Sequence, residues 1–150
     1  MMLLSEKFAR VSGEVEHRLR ARCATNANDL AAEPGAYALL LQLNVSVPLT
    51  IRTFSCRTVP AGCYAYLGSA RGPGGLRARI ARHLRGDKKP HWHIDRLTAA
   101  ATEIHVYPVP GGNECALVCT LMEAGCFRHP IPGFGSSDCR TCTSHLLTPT

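Results

Sequence analysis

The pattern of apolar and polar residues begins with a stripe that is typical of an amphipathic helix. Over residues 1–20, apolar side chains recur every three or four positions, and charges of both signs lie between them. The stripe consists of Leu4, Phe8, Val11, Val15 and Leu19. This spacing predicts a helix of about five turns that packs on the rest of the protein. Residues 24–34 contain Asn26, Asn28 and Pro34, which indicate a linker.

The segments after the linker carry strand signals. Residues 36–43 are strongly apolar, which predicts a buried strand, and residues 49–54 and 63–67 are two further strand candidates. Pro60-Ala61-Gly62 lies between those two candidates and is typical of a turn. Gly72-Pro73-Gly74-Gly75 then ends the strand region.

Helix signals follow this glycine-rich turn. A first helix is predicted with one apolar stripe, formed by Leu76, Ile80 and Leu84. The later segments are residues 91–101 (a short helix or a loop), 103–109 (a strand), 114–124 (a helix) and 131–145 (a loop). This order predicts an α+β fold, with a small, mostly antiparallel sheet flanked by helices and an extra N-terminal amphipathic helix. The predicted organisation is a helix and linker over residues 1–34 and one domain over residues 35–147.

The charge of the chain favours a polyanionic partner. The net charge is +6 over 150 residues, and residues 71–89 carry seven basic side chains against one acidic residue, Asp87. Such a cluster fits a nucleic-acid surface, although a solvated helix face would also explain it. No stretch approaches the roughly 20 apolar residues of a membrane span, so no membrane partner is expected.

The cysteine content raises the question of redox compartment. The chain has eight cysteines, but its amino terminus is only a very short apolar run before Glu6 and Lys7. That run does not fit a secretory signal, so we expect an intracellular, cytoplasmic protein with mostly reduced thiols.

Chemically competent residues stand at the ends of the predicted elements. Gly35-Ala36-Tyr37 begins one strand, and Tyr66-Leu67-Gly68 ends another. Arg79 and His83 are four residues apart and would share one helix face. Glu114 begins the last predicted helix, where the helix dipole favours an ionised carboxylate, a hard ligand for Mg²⁺ or Mn²⁺. Each residue also has a purely structural interpretation: core tyrosines, a solvated arginine and a helix-capping glutamate.

This order of motifs resembles the GIY-YIG nuclease superfamily. The closer resemblance is to a small branch sometimes found fused to endonuclease III-like enzymes, and it covers about residues 35–147. The segments that carry it are PAGCYAYLGSA at residues 60–70, GGLRARIARHL at 74–84, HWHID at 91–95 and PGFGSSDC at 132–139. The two tyrosines are much farther apart than in typical superfamily members, because extra residues that include 49–58 separate them, an insertion that the branch shares.

The resemblance implies a set of roles. Tyr37 would be the general base, assisted by Tyr66, while Arg79 would hold the scissile phosphate and Glu114 one Mg²⁺ or Mn²⁺ ion. His83 would donate a hydrogen bond to phosphate or tyrosine. Because a tyrosine has a pKa of about 10, the base role requires a nearby cation. The residues expected to bind substrate are Arg77, Arg82, Arg85, Lys88, Lys89, His91 and His93.

Several residues have a competing metal-binding interpretation. Cys139, Cys142 and His145 have the spacing of three zinc ligands, and Cys126, His129, His91 or His93 could supply the fourth. Three ligands make a weaker signature than four, so the sequence favours thiols without structural zinc. His91, His93 and Asp95 would converge on a metal only in an extended segment, and a hydrogen-bonding role at the cleft edge is preferred. Cys115, Cys119 and Trp92 are interpreted as core residues.

The sequence therefore predicts a metal-dependent nuclease that acts on nucleic acid, with DNA as the expected substrate. One alternative is a nucleic-acid-binding module that does not cut. The presence of Tyr37, Tyr66, Arg79 and Glu114 together favours the enzyme over this module. A second alternative is a zinc-stabilised interaction domain, which the cluster from Cys139 to His145 favours.

Overall fold

The protein has an α+β architecture. A computed structural model describes residues 3–24, 26–49, 57–86, 93–135 and 141–150. The helices are α1 (Leu4–Leu19), α2 (Gly75–Leu84), α3 (Ile94–Ala100) and α4 (Glu114–Glu123). The strands are β1 (Gly35–Leu43), β2 (Val47–Leu49), β3 (Arg57–Val59), β4 (Gly62–Ala70), β5 (Glu103–Pro110), β6 (Phe127–Arg128) and β7 (Leu146–Pro149), and a short 3₁₀ turn spans Ala27–Asp29.

Five strands form one antiparallel sheet in the order β5-β1-β4-β7-β6, and β2 pairs with β3 in a separate two-stranded sheet. Strand β1 is flanked on both sides, and all nine of its residues are buried. Its register with β4 places Tyr37 opposite Gly68 and Leu39 opposite Tyr66. Because side chains alternate along a strand, Tyr37 and Tyr66 lie on the same face of the sheet.

The two faces of the sheet are covered by different helices. On one face, Leu39 and Leu41 of β1 belong to a core cluster that contains residues of α2 and α3. On the other face, Ala38 and Leu40 belong to a second cluster with residues of α1 and α4. The sheet is therefore the middle of three layers, which explains why β1 is mostly apolar rather than alternating between apolar and polar residues.

The predicted fold class is confirmed: an antiparallel sheet flanked by helices, with an amphipathic N-terminal helix. Within α1, the side chains of Phe8, Val11, Val15 and Leu19 are buried in the second core cluster. The predicted stripe of α2 is wrong at Leu84, which is 43% exposed, because the neighbouring His83 takes the buried position. Segment 91–101 is helical from Ile94.

Three short strands lack a prediction, namely β3, β6 and β7, since segments of two to four residues are too short for a periodic pattern. Of the strand predicted at 49–54, Leu49 ends β2 and the rest lies outside the described residues. The loop predicted at 131–145 has a turn at residues 132–135 and bends at residues 141–145.

The linker between α1 and β1 is fixed to the domain by backbone and side-chain hydrogen bonds. The Ala24 N–H donates to Val106 O at 2.8 Å, and the Leu76 N–H donates to Glu33 O at 2.9 Å. Among the described residues, no helix is both long enough and apolar enough to cross a membrane.

Candidate active site and metal-ligand cluster

The predicted catalytic residues meet at one end of the sheet. Strand β1 begins at Gly35, which is paired with the last residues of β4 and β5, Ala70 and Pro110. Helices α2 and α4 begin shortly after β4 and β5 end, so that their first turns lie at this same end. Antiparallel pairing therefore gathers residues that are far apart in the sequence.

Tyr37 is the centre of this group. Its side chain is buried, and its hydroxyl lies 2.6 Å from Nε2 of His83, which is also buried. Arg79, one turn before His83 on α2, lies close enough to Tyr37 to lower the pKa of its hydroxyl. The residue opposite Tyr37 is Gly68, and a Cβ atom there would overlap the tyrosine ring. The glycine of the Tyr66-Leu67-Gly68 motif thus makes room for the first tyrosine.

Tyr66 lies beside the same histidine. Its ring is 6.3 Å from the His83 ring and 6.4 Å from the Phe134 ring, both in edge-to-face arrangements. A Cβ atom at Gly135 would come within 2.8 Å of the Tyr66 ring and 3.4 Å of the His145 Cβ atom. The turn at residues 132–135 therefore packs against Tyr66 and lies beside His145.

Both tyrosines are neutral phenols in the protein. Burial raises the pKa of Tyr37 well above its usual value, and the nearby Tyr66 and Glu114 raise it further. Burial also raises the pKa of Tyr66 to about 12, with a further contribution from Glu114. Arg79 acts in the opposite direction on the pKa of both residues. The positive charge that the base role requires is thus present, but burial outweighs it.

Glu114 is the first residue of α4. The preceding Asn113 caps the helix, since its Oδ1 accepts a hydrogen bond from the Ala116 N–H at 3.1 Å. The Glu114 side chain is 31% exposed, and its negative charge contributes to the raised pKa values of both tyrosines. A partly exposed carboxylate at a helix start fits a single hard-oxygen ligand for Mg²⁺ or Mn²⁺.

The arginines of α2 have different surroundings. Arg82, predicted to bind substrate, donates two hydrogen bonds of 2.9 Å to the carboxylate of Asp95, which is 1% exposed. This bidentate pair joins α2 to α3, so Arg82 has a structural role, and its contact with substrate stays a prediction. Asp95 is likewise occupied by a structural partner. Arg77 donates to Leu30 O at 2.7 Å and thus helps to hold the linker.

The remaining predicted substrate-binding residues lie near α2 or outside the described part of the chain. Arg85 is exposed just after α2, and His93 directly precedes α3 with its ring 5.7 Å from Phe134. Partial burial lowers the pKa of His93. Lys88, Lys89 and His91 lie outside the described residues, as do Trp92 and Cys139. A shallow cavity of about 190 Å³ beside the start of α2 is lined by Gly72, Pro73, Gly75, Ala78, Arg79 and Arg82.

Next to Glu114, three side chains form a cluster that could hold a metal ion. The ligand atoms of Cys115, Cys142 and His145 all lie within 4.8 Å of one another, and Cys115 Sγ is 3.9 Å from His145 Nε2. His145 is 2% exposed, and its Nδ1 lies 3.6 Å from a carboxylate oxygen of Glu114. The predicted pair Cys142 and His145 is thus brought together.

The assignment of Cys115 and Cys119 to the core is wrong. Cys115 is half-buried in the metal-ligand cluster, while Cys119, one turn later on α4, is exposed. The sequence spacing of Cys139, Cys142 and His145 gave no sign of Cys115, because the contact depends on α4 packing beside the segment before β7. None of the six described cysteines forms a disulfide bond.

Comparison with known proteins gives one family match. The model of a family described as "Domain of unknown function DUF123" matches residues 36–150. No curated protein and no solved structure matches the chain. The match begins at the second residue of β1 and includes β7, so it spans the whole sheet but not α1. Since this match covers more than half of the sequence, the chain belongs to the DUF123 domain family.

Proposed function

We propose that the protein is a metal-dependent nuclease of the GIY-YIG type that hydrolyses phosphodiester bonds in nucleic acid, with DNA as its expected substrate. The observation that carries the proposal is the meeting of Tyr37, His83 and Arg79 at the end of the sheet where Glu114 begins α4. Phosphodiester hydrolysis needs an activated water, positive charge beside the phosphoryl oxygens and an acceptor for the proton. The four side chains have the chemistry for each requirement.

The pair Tyr37 and His83 supplies a path for the proton that the attacking water loses. Because burial raises the pKa of Tyr37, the phenol starts neutral and is not a base by itself. In the proposed step, the water oxygen bonds to phosphorus and its proton passes to the Tyr37 oxygen. The Tyr37 proton passes at the same time to Nε2 of His83, 2.6 Å away. The bond from phosphorus to the leaving oxygen breaks, and that oxygen takes a proton from solvent.

Arg79 and Glu114 stabilise charge on the phosphate. Arg79 presents a planar fork of donors that suits two phosphoryl oxygens, and because it lies near Tyr37 it would also lie near the attacking water. The Glu114 carboxylate would hold the Mg²⁺ or Mn²⁺ ion, with water and phosphate oxygens as the other ligands. When bound, the ion supplies positive charge to the phosphoryl oxygens.

The charge distribution supports nucleic acid as the partner. The net charge is +6, and the exposed arginines Arg71, Arg77 and Arg85 lie on or next to α2, the helix that carries Arg79. When cationic side chains bind phosphates, counterions are released from the DNA. The affinity for DNA should therefore fall steeply as the salt concentration rises. Binding that is absent at low salt, or indifferent to salt, would contradict this part of the proposal.

The test is cleavage by the purified protein of labelled branched, nicked and single-stranded DNA, with Mg²⁺ or Mn²⁺ and with chelator. We expect metal-dependent cleavage of at least one substrate, lost in Glu114→Ala while DNA binding stays nearly unchanged. The matched control is Glu123→Ala, because Glu123 is exposed at the other end of α4. Cleavage that survives Glu114→Ala would exclude the proposed mechanism, and salt-dependent binding without cleavage would identify a binding module instead.

A further inference from the structure

We propose that Cys115, Cys142 and His145 form a binding site for one soft divalent ion, Zn²⁺, separate from the hard-oxygen position at Glu114. Thiolate and imidazole are the ligands that zinc prefers, whereas Mg²⁺ and Mn²⁺ select oxygen. The inference goes beyond the proposed nuclease activity and is independent of it, because its test measures metal binding directly.

The geometry of the cluster suits a tetrahedral ion. Zinc–sulfur and zinc–nitrogen bonds of about 2.3 Å and 2.0–2.1 Å hold sulfur and nitrogen ligands roughly 3.5 Å apart. Cys115 Sγ and His145 Nε2 are 3.9 Å apart, and all three ligand atoms lie within 4.8 Å. Only a small contraction therefore separates the present arrangement from a bound one. The described residues supply three ligands, so a tetrahedral ion would have one position left for a further ligand.

The surroundings of His145 give a second, independent indication. The imidazole is 2% exposed, and its Nδ1 is buried without a hydrogen-bond partner among the described residues. Burying an unpaired polar nitrogen is costly unless the ring has a function there. With Nε2 directed at Cys115 and Nδ1 3.6 Å from the Glu114 carboxylate, the ring has the arrangement of a carboxylate–histidine–metal triad. Binding through Nε2 would place the proton on Nδ1, where it could be donated to Glu114.

A bound ion would link two parts of the fold that the sequence keeps apart. Cys115 lies in the first turn of α4, whereas Cys142 and His145 precede β7, the strand that pairs with β4 beside Tyr66. The link would hold the start of α4 against the sheet and orient Glu114 through His145. His145 would then be a metal ligand on one side and a positioning residue for Glu114 on the other.

The test uses the full chain and two readouts of metal binding. Zinc content of the purified protein is measured by inductively coupled plasma mass spectrometry, and about one equivalent is expected. Co²⁺ is then added to chelator-treated protein, and the thiolate-to-cobalt charge-transfer absorbance is followed. Cys115→Ser and Cys142→Ser should lose the zinc and the charge-transfer band. Cys119→Ser is the matched control on the same helix and should behave as wild type, since Cys119 is exposed.

The role of Glu114 is tested with the same readouts. Glu114→Gln should weaken zinc affinity by about tenfold, because the loss of a hydrogen-bond partner of a metal-ligating histidine usually has an effect of this size. The charge-transfer band should remain. Glu123→Gln should have no effect. Circular dichroism of each variant shows whether it folds. Wild-type protein that binds no zinc, a Cys119→Ser variant that loses as much as Cys142→Ser, or a Cys115–Cys142 disulfide in the native protein would overturn the zinc site. Unchanged affinity in Glu114→Gln would overturn the triad.

Discussion

The Tyr37 hydroxyl lies 2.6 Å from Nε2 of His83, so that β1, an interior strand of the sheet, is joined to the buried side of α2. Both side chains are almost fully buried, and their ring centroids are 5.3 Å apart. A polar contact in such a place needs a reason, because apolar residues of similar size would pack there without the cost of dehydration. Its position beside Arg79 and Glu114 gives the contact a chemical use.

The first prediction concerns this hydroxyl. Tyr37→Phe removes one oxygen and little volume, so we expect turnover to fall at least about 100-fold while DNA affinity changes little. The free energy of unfolding should fall by about 1 kcal/mol, since His83 loses a hydrogen bond. Single-turnover cleavage, filter binding and urea unfolding measure the three effects. Tyr64→Phe is the control, because its hydroxyl donates to Pro60 O at 2.7 Å outside the site. Equal turnover in both variants would remove Tyr37 from the mechanism.

The second prediction separates two arginines that look alike in the sequence. Arg82→Ala leaves the buried carboxylate of Asp95 without its bidentate partner and should lower the free energy of unfolding by about 3 kcal/mol. Arg85→Ala should change stability by no more than about 0.5 kcal/mol, because Arg85 is exposed, but it should weaken DNA binding at every sequence. Urea unfolding and salt-dependent binding of both variants provide the comparison. An Arg82→Ala protein as stable as wild type would contradict the structural assignment.

The third prediction is a loss of stability at alkaline pH. Burial raises the pKa of Tyr66 from about 10 in the unfolded chain to about 12 in the folded protein. Between these values, unfolded Tyr66 has lost its proton while folded Tyr66 keeps it, so the folded state binds more protons. The free energy of unfolding is therefore unaffected below about pH 10 and falls as pH rises toward 12, by up to about 3 kcal/mol. Tyr66→Phe should flatten this decline in urea unfolding. Titration of Tyr66 near pH 10 in the folded protein, followed by ultraviolet absorbance, would contradict it.

The fourth prediction concerns the N-terminal helix. Phe8 is 2% exposed and packs in the core cluster that covers the α4 side of the sheet. Phe8→Ala should therefore lower the free energy of unfolding by roughly 3–5 kcal/mol. Leu3→Ala is the matched control, because Leu3 is 65% exposed just before α1 and its loss should have little effect. Similar stability of the two variants would show that α1 is an accessory rather than a part of the core.

Elements with a strong local period were predictable. The three- and four-residue spacing of Phe8, Val11, Val15 and Leu19 defines α1, and the strongly apolar run of β1 predicts a buried strand. The four-residue spacing of Arg79 and His83 predicted that they share one helix face. In each case the period of the backbone decides which residues share a face, so that the information is local.

The sequence could not assign partners to side chains. It gave Arg82 and Arg85 the same role, although Arg82 pairs with the buried carboxylate of Asp95 across the α2–α3 contact and Arg85 is exposed. It also placed Leu84 on the buried stripe, where the structure buries His83 instead because Tyr37 of β1 supplies a hydrogen-bond partner. A charge pattern or a helical period does not specify what packs against it.

By itself, the sequence determined the fold class, the main helices and strands, and the residue types from which a hydrolytic site could be built. The tertiary structure alone decided that Cys115, rather than only the closely spaced Cys142 and His145, belongs to a metal-ligand cluster, and that His145 lies between this cluster and Glu114. The physical reason is that the ligand geometry depends on the distance between α4 and the segment that precedes β7. That distance arises from the packing of α4 beside β4, and the spacing of residues within one element does not specify it.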